Sequence, residues 1–145
     1  MKEDYYQAFA RLMADTYTLY LKTQNYHWHV RGPHFKTLHL MFEEQYTQLA
    51  LGVDALAERI LTLGHSAPAT FAEFSQLRTL EEGDSKRTAE QMVAALCQDH
   101  QLILKDLYKV LKMAQELNDE GSTTLLGDRI AEHEKTHWML KASQS

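Results

Sequence analysis

The chain has 145 residues, of which 44% are hydrophobic and 24% charged, and its net charge is −5. This length predicts a single domain, residues 1–145, with a substantial core, and the negative charge predicts a surface that repels nucleic acid on average. No apolar run reaches the roughly 18 residues that span a membrane. The single cysteine excludes an intramolecular disulfide. The start MKEDYYQAF lacks the apolar core of a signal peptide, so we expect a cytoplasmic protein.

Two long helices are predicted in the first half of the chain. Aromatic and aliphatic residues recur at steps of three and four over residues 3–30, which predicts the first helix. The Arg-Gly-Pro sequence at residues 31–33 breaks this helix. The second helix begins near a possible cap at Thr37 and runs to Leu63, before a stop at Gly64. Because the connection is short, the two helices should pack antiparallel.

A long link and two further helices follow. Residues 65–85 form the link, and the segment TFAEF after Pro68 predicts a short helix inside it. Residues 86–118 and 122–142 carry the apolar stripes of a third and a fourth helix. The link is long enough to run along the bundle and to start the third helix parallel to the second. The predicted fold is all-α, a four-helix bundle with one long crossover link and a short extra helix in it.

Candidate metal ligands lie at helical spacing on the second helix. His39 and Glu43 are four residues apart, and so are Asp54 and Glu58, so each pair projects from one helix face. At about 100° per residue, the four side chains fall within an arc of roughly 100°, separate from the apolar stripe. His27, near the end of the first helix, is a fifth candidate. Taken singly, each residue is more typical of a solvated face or a core histidine than of a ligand. Together, mixed histidine and carboxylate ligands favour iron or manganese over structural zinc.

The distance between the two pairs predicts a second copy of the helix. Their centres are 15 residues apart, which is about 22 Å along a helix, so the two pairs of one helix cannot reach one metal site. An antiparallel copy, related by a two-fold axis near residues 48–49, would set Glu43 against Asp54 of the partner subunit. It would also set His39 against Glu58 of the partner subunit. Small residues near this axis, among them Gly52, would let the helices approach closely. Spacing thus predicts a dimer with two equivalent sites.

Sequence motifs on these helices resemble those of the Dps family of miniferritins. They are H-W-x-V-x-G-P-x-F-x-x-L-H-x-x-F-E-E-x-Y at residues 27–46, V-D-x-L-A-E-R-I at residues 53–60, and HEKTHWMLKA at residues 133–142, which is similar to the family's closing segment. The resemblance covers nearly the whole chain. It implies a ferritin-like fold, a small helix at residues 70–77, and a ferroxidase site between subunits. The implied ligands are the five candidates named above. One subunit would supply His27, His39 and Glu43, and its two-fold mate would supply Asp54 and Glu58.

The resemblance also implies a function. The expected activity is a ferroxidase that oxidises ferrous iron, with hydrogen peroxide as the favoured oxidant. The ferric mineral would be stored in a shell of twelve subunits, which protects against oxidative damage. Acidic residues near the start of the last helix would line the pore through which iron enters, with Asp119, Glu120 and Asp128 as candidates. Members that bind DNA often use a lysine-rich terminal extension. Here the termini offer only Lys2 and Lys141, so we expect no direct DNA binding.

A competing motif lies in the fourth helix. Residues 133–137, HEKTH, match H-E-x-x-H, in which two histidines bind the zinc of a metalloprotease. The following residues offer no third ligand, since position 143 is Ser where an extended motif needs His, and nothing predicts a sheet edge to hold a peptide. Glu134 and His137 also satisfy the E-x-x-H element of larger ferritins. The second helix has no matching element, so the interface site is preferred over a site inside the bundle.

The remaining polar residues of the third helix have simpler interpretations. Asp99, His100 and Asp106 are predicted to be solvated or at an interface, and Cys97 to be a small packed residue without a base to activate it. A non-enzymatic alternative also stays open, in which the protein is a structural bundle that binds metal weakly or associates with partners.

Overall fold

The computed structural model describes residues 2–144, and within this range the chain forms five α-helices and no β-strand. The helices are α1 (Glu3–His29), α2 (Phe35–Thr62), α3 (Phe71–Leu77), α4 (Ala89–Glu116) and α5 (Glu120–Ala142). The all-α prediction is confirmed, and the short helix α3 lies in the link between α2 and α4, as expected. None of the helices in the described range is long and apolar enough to cross a membrane.

Two helices end where a residue adopts the left-handed backbone conformation. Gly64 has a φ of 92°, and its N–H donates to the carbonyl oxygen of Leu61, while the next N–H donates to that of Ile60. This pattern satisfies the last carbonyl groups of α2 and confirms the predicted stop. α4 ends in the same way at Asn118, whose φ is 55°. Asparagine tolerates this conformation better than most residues that carry a side chain.

Three of the five helices, α3, α4 and α5, start at side-chain caps, whereas α1 and α2 do not. At the start of α4, the Thr88 hydroxyl accepts from the backbone N–H of Gln91, and the Gln91 side chain accepts from the backbone N–H of Thr88. Thr70 caps α3 by accepting from the backbone N–H of Glu73. The predicted cap at Thr37 is wrong, because α2 starts two residues earlier and Thr37 lies within its first turn.

Each long helix buries an apolar stripe against the others. The α2 stripe is buried largely as predicted, while Val53 and Leu63 are only partly buried. α1 and α2 are antiparallel, since Tyr20 contacts Tyr46 while His27 contacts His39. Burying a large apolar side chain stabilises the fold by about 1.5–3 kcal/mol. The fully buried large side chains come from all four long helices: Tyr26, Phe9, Phe42, Leu12, Leu19, Leu56, Ile60, Met92, Leu96, Ile103, Leu107 and Leu126.

Gly52 has a different position from the one predicted. It is buried, and a Cβ atom at this position would lie 2.7 Å from the Nε atom of Arg129 on α5. The absence of a side chain therefore leaves room for a guanidinium group inside the bundle. The expectation that Gly52 serves the close approach of a second helix copy is corrected, because its small size is needed within the chain.

Candidate metal centre

His27 and His39 face each other across the seam between α1 and α2. Their rings are stacked with centroids 3.8 Å apart and an interplanar angle of 14°. The Nδ1 atom of each lies 2.7 Å from the backbone carbonyl oxygen of the other. A carbonyl oxygen can only accept, so each Nδ1 carries a proton, and in the neutral ring the Nε2 atom keeps its lone pair. This is the tautomer in which a histidine binds metal through Nε2 while a backbone oxygen orients the ring.

Glu43 lies one helical turn beyond His39. Its Oε1 is 3.8 Å from the Nε2 of His27, and its side chain is exposed while that of His27 is buried. Phe35 stacks on the ring of His39 at 5.0 Å, and Tyr46 meets the ring of His27 edge-on at 5.2 Å. These aromatic contacts hold both imidazoles in place. His27 thus contacts both His39 and Glu43, and the Glu43 side chain is exposed to solvent.

Asp54 and Glu58 are also exposed, as predicted, but they lie farther along α2. About three turns separate Asp54 from Glu43, which is about 16 Å along the helix axis. The structure therefore brings together the first three predicted ligands and leaves the last two apart. Within residues 2–144, no group of three or more His, Cys, Asp or Glu side chains is arranged to hold a metal ion in a single copy. Each copy thus presents the two halves of the predicted site at separate places on one surface.

His133, the first histidine of the H-E-x-x-H motif in α5, contacts Arg129 and His100. His133 Nε2 lies 3.0 Å from the Nη2 of Arg129, and its Nδ1 lies 2.9 Å from the Nδ1 of His100. Arginine only donates, so His133 accepts at Nε2, carries its proton on Nδ1 and donates it to His100. Neither nitrogen of His133 is free for zinc. This observation counts against the metalloprotease alternative.

This buried network, which we call the histidine–arginine network, consists of His100, His133 and Arg129. Burial lowers the pKa of His100 to about 3, and the nearby Arg129 and His137 act in the same direction. Burial also holds the pKa of His133 well below its ordinary value, next to His100 and Arg129. Both imidazoles are therefore neutral near pH 7. The expectation that His100 is solvated or at an interface is wrong, because it points into the bundle.

Asp99 is likewise buried, contrary to expectation. Its Oδ2 is 2.9 Å from the Nζ of Lys22 on α1, and both side chains are almost fully buried. Lys22 also donates to the backbone oxygen of Glu81 in the link. Cys97 is buried as predicted, and burial raises the pKa of its thiol. The sequence signal for a buried Asp99 lies only in its place beside the apolar stripe of α4.

Asp119, one of the candidate pore residues, is engaged in holding helices together. Its Oδ1 lies 2.6 Å from the Nη2 of Arg59, its Oδ2 accepts from the hydroxyl of Tyr5, and it caps α5 by accepting from the backbone N–H of Ser122. Burial acts to raise the pKa of Asp119, but hydrogen bonds from Ser122, Tyr5 and Arg59 outweigh it and lower the pKa. Glu120 and Asp128 are exposed and remain candidates for the pore.

Comparison with known proteins places the chain in a family. The ferritin-like domain profile matches residues 6–144. The DNA protection during starvation protein 2 of Bacillus anthracis is 39% identical over 142 residues, covering 98% of this chain and 97% of that protein. General stress protein 20U of Bacillus subtilis is 38% identical over 142 residues, covering 98% of each.

Solved structures agree with these sequence matches. Dps from Staphylococcus aureus superposes with a TM-score of 0.95 at 33% identity, covering 99% of this chain and 97% of that one. The Vibrio cholerae O1 Dps protein, described as a member of a broad superfamily of ferritin-like diiron-carboxylate proteins, has a TM-score of 0.93 at 34% identity, covering 97% of this chain and 88% of that one. The chain therefore belongs to the Dps family of miniferritins, within the ferritin-like superfamily.

Proposed function

We propose that the protein is a ferroxidase and iron store whose substrate, ferrous iron, binds between two subunits. His27, His39 and Glu43 of one subunit would share each site with Asp54 and Glu58 of the partner subunit. The observation that carries this proposal is the reciprocal bonding of the two histidines, which leaves both Nε2 lone pairs available, with that of His27 3.8 Å from the Glu43 carboxylate. An imidazole and carboxylate donor set suits iron.

The two-fold arrangement follows from the position of both halves on α2. Glu43 and Asp54 lie at equal distances from residues 48–49, so an antiparallel partner helix crossing there aligns each half with the other. Ala50 and Leu51, near this point, are exposed in the single chain, and the exposed fraction of Leu51 is 62%. An exposed leucine at the centre of the surface is consistent with burial against a second copy.

The chemistry of the site follows from its donors. Neutral imidazoles and ionised carboxylates hold ferrous iron, so protonation competes with the metal and affinity falls as the pH falls. Hydrogen peroxide would take one electron from each of two ferrous ions, its O–O bond would break, and two protons would complete two water molecules. The ferric product would move into the cavity of a twelve-subunit shell and mineralise there. This route yields no hydroxyl radical.

The cellular role would be iron storage and protection from oxidative damage in the cytoplasm. Two relatives carry names that refer to stress or to DNA protection. With a net charge of −5, this chain would protect DNA by removing ferrous iron and peroxide, without direct DNA binding. A band shift on DNA at low salt, without added divalent metal, would contradict the last point.

Gel filtration after anaerobic ferrous loading and stepwise peroxide addition tests storage and assembly together. We expect iron far above site stoichiometry to elute with protein at a mass near twelve subunits. A small oligomer with little retained iron would refute the proposal.

A double variant tests the site itself. Asp54→Ala with Glu58→Ala should slow ferrous oxidation by about 10–100-fold or more, and it should spare the fold because both side chains are exposed. Glu44→Ala removes an exposed carboxylate next to Glu43 and is the matched control. Unchanged oxidation in the double variant would favour a structural bundle that merely binds metal.

A further inference from the structure

Helix α5 is attached to the bundle by a buried face that is half polar. Its buried residues are the apolar Leu126, Ile130 and Leu140 and the polar Ser122, Arg129 and His133. α4 differs, because most of its buried residues are apolar: Met92, Val93, Leu96, Cys97, Ile103, Leu107, Val110 and Ala114, against Asp99 and His100. The attachment of α5 therefore depends more than that of α4 on hydrogen bonds, which a change of protonation can break.

The hydrogen bonds of the histidine–arginine network need both imidazoles to be neutral. The Nε2 atom of His133 accepts from Arg129 over 3.0 Å, and its Nδ1–H donates to the Nδ1 atom of His100 over 2.9 Å. A proton added to the first acceptor would face a guanidinium N–H, and one added to the second would face an imidazole N–H. Either proton replaces an acceptor with a donor and adds a positive charge beside the guanidinium.

Two further donors of this network have no hydrogen-bond partner in the described part of the chain. Because the Nδ1 atom of neutral His100 accepts, its proton lies on Nε2, and this Nε2 atom is shielded from solvent without a partner. The Nε atom of Arg129 is in the same state. A shielded donor without an acceptor has a free-energy cost that hydration removes. Opening of α5 would give both donors access to water.

The charges around the two imidazoles oppose protonation. They are those of Arg129 and His137, both on α5, and of the other imidazole itself. The α2 residue against the guanidinium is Gly52, which carries no charge, and Glu132 on α5 attracts Arg129. Within residues 2–144, no carboxylate and no charged group of α1 or α2 acts on either ring. A proton taken up by these rings has no counter-charge in the closed bundle.

We propose that the histidine–arginine network is an acid-sensitive switch, in which protonation of the two imidazoles releases α5 from α2 and α4 in mild acid. The seam between α1 and α2 does not depend on this network and stays packed. In the proposed iron store, a released α5 would open the subunit wall to a chelator of iron, a consequence that rests on the function proposed above.

The size of the expected change follows from the protonation of the closed and open forms. Burial holds the pKa of His100 at about 3 in the closed form, against about 6.5 once the ring is in water. The open form therefore binds a proton over a pH range in which the closed form does not. From His100 alone, the population of the open form should rise about 30-fold between pH 7.5 and pH 5.

Hydrogen exchange of the iron-free, assembled protein tests the switch. It is read by mass spectrometry at both pH values and corrected for the intrinsic pH dependence of exchange. The protection of α5 amides should fall by about 30-fold or more, while that of α1 amides should stay unchanged. His100→Gln with His133→Gln keeps a donor and an acceptor at each position but does not titrate, so α5 should stay protected. His34→Gln, at an exposed histidine, is the matched control and should behave like the unmodified protein.

Two results would overturn the switch. One is an equal loss of protection in all four long helices, which indicates global unfolding, and the other is an equal loss in α5 of the double variant and of the unmodified protein. If the double variant shows no helical circular dichroism at pH 7.5, His133→Gln alone takes its place. A smaller fall in α5 protection than in the unmodified protein is then the expected result, and an equal fall refutes the switch.

Release of stored iron tests the consequence for storage. Equal ferric loads at pH 5, with an iron chelator present, should be released faster from the unmodified protein than from the double variant. Dissolution of the mineral by acid is common to both samples. Equal release despite a difference in α5 exchange would overturn the opening of the wall to the chelator. Failure of the unmodified protein to load iron would instead overturn the proposed function, and the exchange result would still decide the switch.

Discussion

Acid should destabilise this protein through the histidine–arginine network. His100 has a pKa of about 3 in the folded chain, against about 6.5 for an unperturbed histidine. The unfolded state therefore binds a proton over a pH range in which the folded state does not. Stability contributed by the neutral ring is complete above about pH 6.5 and falls as the pH decreases toward the folded pKa.

The size of the effect follows from the difference in pKa. Each pH unit between the two values costs about 1.4 kcal/mol, so His100 alone should lower the free energy of unfolding by about 2 kcal/mol between pH 7.5 and pH 5. His133 acts in the same direction because burial also lowers its pKa. Solvent screening does not reduce this difference in stability, since both side chains are buried.

Denaturant unfolding of the iron-free protein at fixed protein concentration and at both pH values measures this difference. His100→Gln keeps an oxygen that accepts from the Nδ1–H of His133 but does not titrate. It should reduce the loss of stability between the two pH values by about 2 kcal/mol. His34→Gln, at an exposed histidine, is the control and should leave the loss unchanged. An equal loss in His100→Gln and the unmodified protein would refute the assignment of a buried neutral ring.

Three pairs of substitutions test packing and helix ends by the free energy of unfolding. Gly52→Ala should destabilise the fold by about 1–3 kcal/mol, because the new Cβ would meet the guanidinium of Arg129; Gly127→Ala, where a Cβ meets nothing within 4 Å, should instead stabilise by about 0.5–1 kcal/mol. Equal effects of the two changes would contradict the packing argument. Asn118→Ala should cost about 1 kcal/mol because of the positive φ, with Asn118→Gly as the tolerated control. Thr88→Ala should cost about 1 kcal/mol by removing the cap of α4, whereas Thr88→Ser should cost little.

The positions of His27 and His39 depend partly on helix spacing and partly on helix packing. The spacing of His39 and Glu43 placed both on one face of α2, because side chains four residues apart share a helix face. His27 comes from another helix, and its position against His39 depends on how α1 and α2 pack. The reciprocal bonds between each Nδ1 and the opposite carbonyl oxygen follow from that packing. These bonds orient the two candidate metal ligands, and the sequence alone does not predict them.

The sequence by itself determined the helices, most of their ends and the family. Periodic apolar residues, a glycine at position 64 and the Arg-Gly-Pro break are local signals, and a helix responds to them without help from distant residues. The motifs at residues 27–46 and 53–60 indicated the Dps family, because a motif depends only on the residues and their spacing along one chain. The assignment of Asp54 and Glu58 to a shared site stays a prediction, since it depends on a second subunit.

Only the tertiary structure decided which polar residues are buried. Asp99, His100 and Arg129 lie beside apolar stripes, and their sequence neighbours do not distinguish a solvated side chain from a buried one. A buried polar group is stable only with a partner, and here the partners come from other helices or from other turns: Lys22 for Asp99, and His133 for His100 and Arg129. The space for Arg129 likewise depends on a glycine of α2. The Lys22–Asp99 and His100–His133 pairs join different helices, so periodicity along one helix carries no information about them. Arg129 and His133 lie four residues apart on α5, but spacing alone does not show that they are buried.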